Sequence, residues 1–133
     1  WMCEAEMSYS GINALERSKL AGKIVKERMR QKGFNGKIRM DIIGASSVFL
    51  GKNFDFFKDK SIRKNGDFRL RLSLISNSKK FAQTLADELQ MLYCSGPAGG
   101  GGFRSNITEE ISSASVLLDK NLIDPNIRIE IYK

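Results

Sequence analysis

The apolar residues of this chain switch repeatedly between two periods, and that switching limits the fold more than any other feature. Between Ile12 and Lys32, the residues Ile12, Leu15, Leu20, Ile24, Val25 and Met29 recur at steps of three and four, the spacing of one helix face. Ala14, Ala21 and Gly22 add small positions for close approach, and Glu16–Lys19 and Lys23–Glu27 sit at helix-neighbour spacing. Ser10 reads as the N-cap of this helix and Gly33 as its stop. The period then shortens to two. Ile38, Met40 and Ile42 alternate with Lys37, Arg39 and Asp41, as in a strand with one buried face. Phe68, Leu70, Leu72 and Leu74 repeat the pattern against Arg69, Arg71 and Ser73. A second helix follows from Lys79 to Tyr93, striped by Phe81, Leu85, Leu89 and Leu92, with Ser76, Asn77 or Ser78 as its cap.

The ends of the chain complete the series. Glu4–Tyr9 reads as a short strand or extended lead-in, and Ile107–Leu118 as mostly strand. A turn at Asp124–Asn126 precedes a closing strand with Ile127, Ile129 and Ile131 on one side. The order predicts a ferredoxin-like α+β sandwich, with two helices on one face of a mainly antiparallel sheet of four to five strands. At 133 residues, the chain forms one domain over residues 1–133. The sheet's second face, carrying Arg39 and Arg71, meets water or another domain.

Composition removes several chemistries. Histidine is absent, so neither a Ser-His or Cys-His nucleophile pair nor an imidazole metal site can be built from this chain. Cys3 and Cys94 stand in unrelated contexts without metal or redox spacing, which points to a reduced cytoplasmic protein with no metal site. No apolar run reaches the roughly 20 residues that span a bilayer. The formal charge of +7 is uneven, since 14 of the 22 Lys and Arg residues fall within residues 1–64. Such an excess suits a solvated helix face more often than a nucleic-acid surface. Phe54, Phe56 and Phe57, among lysines, read as aromatics pinning a loop to the core rather than as a base-stacking platform.

The segment "LYCSGPAGGGGFRSN", Leu92–Asn106, admits several readings. Glycines without the side-chain clash of positive φ can converge their amides on an anion or oxyanion, with Arg104 supplying a two-pronged cation. The same residues can instead form a helix C-cap with a flexible connection, or a corner against which another element packs. The loop lacks the lysine-serine ending of nucleotide loops and follows a helix rather than leading into one.

The stretches "EMSYSG", "IRMDIIGASSVF", "YCSGPAGGGGFR" and "SASVLLDKNLIDPNIRIEIY" resemble the C-terminal part of the acyclic terpene utilisation (AtuA-like) proteins. The most specific piece is Tyr93–Arg104, similar to that family's "Y-x-x-GPAGGGG-x-R". Lys120 stands where the family's "S-x-LIPR" carries an arginine. The resemblance implies a setting in citronellol and geraniol breakdown through acyl-CoA intermediates, and a chain that is the C-terminal fragment of a longer protein, as its start with Trp1 before Met2 also suggests. It raises ligand binding above the reading as a helix C-cap with a flexible connection. Gly96, Gly99, Gly100, Gly101, Gly102 and Arg104 are then expected to hold the anionic end of an acyl-CoA-like ligand, with Tyr9 and Ser10 as second contacts. Catalytic residues are expected in the N-terminal portion missing here, which becomes a partner alongside a possible homo-oligomer.

Overall fold

The computed structural model describes residues 1–45, 66–111, 113–123 and 128–132. Strand β1 (Met2–Ser10) leads to helix α1 (Ala14–Gln31), then to β2 (Ile38–Ile43) and β3 (Asp67–Ile75). Helix α2 (Lys79–Ser95), strand β4 (Gly100–Thr108) and a single helical turn, α3 (Lys120–Ile123), complete the order. The four strands make one antiparallel sheet in the order β2-β3-β1-β4. With α1 and α2 as crossovers, this is a ferredoxin-like α+β fold.

Alternation explains which face is covered. In β1, Cys3, Ala5, Met7 and Tyr9 are buried while Glu4, Glu6 and Ser8 lie between them half-exposed; β3 repeats this with Phe68, Leu70, Leu72 and Leu74. The buried row packs on Leu15, Ala21, Val25 and Met29 of α1 and on Ala82, Leu85, Leu89 and Leu92 of α2. Gly22 lets α1 approach the sheet: a methyl there would run into the Met40 sulfur and stand 3.2 Å from Leu70 Cδ1.

Helix α1 begins later than expected. Ser10 closes β1 instead of capping the helix, and Asn13, with φ of 56°, occupies the N-cap position without a side-chain hydrogen bond. Gly11, at φ of 77°, and Asn13 together turn the chain, with Ala14 N–H donating to the Gly11 carbonyl at 3.2 Å. Gly33 does end α1. Its N–H donates to Arg30 O while Phe34 N–H reaches Met29 O, the paired bonds of a Schellman ending. In α2, Ser78 holds the N-cap position, but its hydroxyl makes no capping bond.

Two expected strands differ from the fold observed. The strand placed at Ile107–Leu118 lies earlier, in the glycine-rich Gly100–Thr108, because β1 supplies a full ladder of partners there. The closing strand is absent among the described residues: Arg128–Tyr132 joins no sheet. The Phe54, Phe56 and Phe57 reading and Ile127 lie outside the described residues.

Candidate functional site

The glycine segment is part strand, part turn. Gly96 receives the end of α2, its N–H donating to Leu92 O at 3.0 Å, with too little room for a side chain beside the Leu92 backbone. Gly99 turns the chain at φ of 81°, and Gly100 and Gly101 enter β4 opposite Tyr9 and Ser8. Between Gly101 and Arg104 the register slips. Met7 faces two residues, Gly102 and Phe103, and Gly102 takes φ of 57° to make the bulge.

Most of the expected cradle is strand rather than loop. Gly100 and Gly101 belong to the β1 ladder rather than to a ring of converging amides, and the Gly102 N–H meets the Tyr93 hydroxyl at 3.3 Å. Tyr9 is fully buried, its hydroxyl donating to Met7 Sδ at 3.4 Å, and desolvation raises its phenol above the ordinary value against the opposing pull of Arg17. It is a core residue. The Ser10 carbonyl is occupied as well. Arg17, from the first turn of α1, donates to the carbonyls of Ser10, Ile12 and Ala98 and so ties the glycine corner to the helix start. Arg17 was missed because its role depends on chain segments 81 residues apart, a separation no local pattern registers.

Arg104 leaves the corner altogether. It stands opposite Glu6 on the sheet face away from the helices, in a row that reads Asp41, Arg71, Glu6, Arg104 across the four strands. Opposite charges at directly paired positions stabilise such a row. Asp41, buried on this face, accepts from Arg39 Nε at 2.8 Å and from an Arg71 terminal nitrogen at 3.2 Å. Glu6 accepts from Arg69 Nε at 2.5 Å, and Arg69 also reaches Gly102 O at 3.2 Å. With Glu6 engaged by Arg69, Arg104 makes no hydrogen bond or ion pair among the described residues.

Two depressions border β4. One of about 200 Å³ on the open face is lined by Glu4, Glu6, Arg104, Ser105 and Asn106. Another of about 500 Å³, between the end of α2 and the bulge, is lined by Gln90, Tyr93, Cys94, Gly102 and Phe103. The second was not foreseen. Tyr93 and Phe103 were visible as aromatics at either end of the glycine run, but the bulge that brings them together follows from the tertiary register. Among the described residues no group of three or more His, Cys, Asp or Glu side chains can hold a metal, and no helix is long and apolar enough to cross a membrane. Burial raises the Cys3 thiol to about 11, which removes it as a nucleophile at neutral pH.

A family model described as "Acyclic terpene utilisation family protein AtuA" matches residues 1–129. The chain belongs to the AtuA family. No curated protein matches it. Among solved structures it is similar to the de novo designed protein Ferredog-Diesel, at 16% identity over 80% of this chain and 85% of that one, with a TM-score of 0.45. In this AtuA-family chain, the glycine-rich segment Tyr93–Arg104 spans the end of α2, the corner held by Arg17 and the bulged start of β4.

Proposed function

We propose that this chain is the C-terminal, ligand-binding module of a longer AtuA-like protein acting on acyl-CoA intermediates of acyclic terpene breakdown, and that the ligand lies across the β4 edge. Family membership supports the metabolic setting. The observation carrying the site is Arg104: of the open-face arginines described, Arg39, Arg69 and Arg71 are ion-paired, while Arg104 has no ion-pair partner among the described residues. A guanidinium without a carboxylate partner suits a phosphate or carboxylate, which it can hold through two donors. On the other side of the same strand, the hollow between Tyr93 and Phe103 offers aromatic surface to an apolar acyl chain. The glycine run serves this arrangement by shaping the edge, in place of the amide cradle expected from sequence.

The test is calorimetric titration of an isoprenoid acyl-CoA into the full-length protein. Arg104→Ala and Phe103→Ala should each raise Kd about tenfold, the loss of one charge-assisted bond or one aromatic contact. Gly101→Ala, which places its methyl in open space, should leave binding unchanged. Wild-type affinity in both Arg104→Ala and Phe103→Ala would reject the β4 edge as the ligand surface.

A further inference from the structure

Beyond Thr108 the chain carries apolar side chains that its own body does not cover. Ile129 is 81% exposed, Ile131 85% and Tyr132 88%. The segment is nonetheless organised. Arg128 Nε pairs with Glu130 Oε1 at 3.1 Å, and the Tyr132 hydroxyl donates to Glu130 Oε2 at 2.7 Å. Contacts between residues two apart put Arg128, Glu130 and Tyr132 on one side, which is the side-chain spacing of extended backbone. Ile129 and Ile131 fall on the other side. This is a strand's pattern without a sheet.

The sheet has a matching vacancy in its chemistry. Among the described residues, β2 is bonded on one side only, to β3. Its helix-side residues Ile38 and Met40 are half-buried apolar side chains packed at the margin of the core. We infer that Arg128–Tyr132 adds, antiparallel, to the outer edge of β2 in a second copy of this chain. Setting Ile129 opposite Met40 places Ile131 opposite Ile38 and gives both isoleucines an apolar neighbour. The same register sets Glu130 beside Arg39 and Arg128 beside Asp41. The charged row then runs Arg128, Asp41, Arg71, Glu6, Arg104, alternating in sign across five strands.

Edge β4 suits the segment less well. Its bulge at Gly102–Phe103 breaks the regular run of edge groups. A second copy is assigned because Ile129, Ile131 and Tyr132 stay exposed and take no seat on their own body. Reciprocal donation between two copies is closed and two-fold, the commonest form of a homo-oligomer.

Sedimentation of the full chain tests this. Wild type should form dimers, and Ile131→Asp, a change at an exposed residue, should leave folded monomers. Glu130→Arg and Arg39→Glu should each weaken the dimer about tenfold, and the double reversal should recover it. Cysteines placed at Ile38 and Ile131, in a Cys94→Ser background, should join two chains covalently on oxidation. A monomeric wild type, a dimer indifferent to Ile131→Asp, or a cross-link closing within one chain would each overturn the inference.

Discussion

A methyl group added at Gly100 would press on Met7 Sδ at 2.7 Å and on the Tyr9 ring at 3.3 Å, whereas at Gly101 it would meet nothing within 4 Å. Both positions lie in β4, and neither has the positive φ that excludes side chains. Gly100→Ala should therefore destabilise the fold by about 1–3 kcal/mol, the usual cost of overpacking a core. Gly101→Ala should be neutral or stabilising by about 0.5 kcal/mol, since it only narrows the unfolded chain's freedom. Gly102→Ala forces an L side chain into the left-handed region and should cost about 1–2 kcal/mol despite the open space around it. Urea midpoints of the three variants check the order. Equal effects would contradict the separate constraints read from the geometry. In the sequence these glycines look interchangeable, and the distinction between them comes only from what β1 places opposite each one.

Helices α1 and α2 are joined by a buried carboxylate. Glu88 of α2, 1% exposed, is paired with Arg28 from the last turn of α1 and, at 2.6 Å, with Lys32 at its C-cap. Burial works to raise its pKa, but the bonds from Arg28 and Lys32 outweigh this and hold the carboxyl below the usual value. Its contribution is therefore complete at neutral pH and is lost as pH falls below the ordinary carboxylate range and through its folded value. Glu88→Gln should lower stability by about 1–3 kcal/mol at pH 7, a loss limited by the half-exposed cations, which regain water. The gap to wild type should narrow as pH falls below the ordinary carboxylate range and through the lowered folded value, a trend that denaturant midpoints across the acid range would reveal. A gap that widens with acid would reverse the sign argued here. The stripe of α2 was legible from Leu85, Leu89 and Leu92, yet nothing in it singled out Glu88, because periodicity does not register a partner on another helix. The alternating strands β2 and β3 were legible for the same reason as the stripe. Strand β4 was not, because "GGGFRSNIT" has too few apolar residues to show a period and is held as a strand by β1.

At the scale of the whole molecule, the two faces of the sheet have different occupants. The helices seal one, while the other presents arginines interleaved with carboxylates. That interleaving bears on the net charge of +7, which in isolation suggests a nucleic-acid partner. A sheet that binds single-stranded RNA stacks bases on aromatics from its central strands. Here the central strands β1 and β3 present Glu4, Glu6 and Ser8 beside Arg69, Arg71 and Ser73. None of these is aromatic. Glu6 and Asp41 already engage Arg69 and Arg71, so a phosphate approaching the face would have to displace carboxylates. Binding of single-stranded RNA, followed by fluorescence anisotropy, should accordingly be no tighter than about 10⁻⁵ M at physiological salt, in the range of nonspecific attraction, and should fall steeply as salt rises. Sub-micromolar affinity persisting at high salt would mean that the face reads RNA through contacts other than charge. Arg104→Ala should weaken this background only slightly and lower its salt slope, since one phosphate contact among several is lost. The same substitution should change acyl-CoA affinity about tenfold. That difference separates a cation placed for one ligand from a merely basic surface.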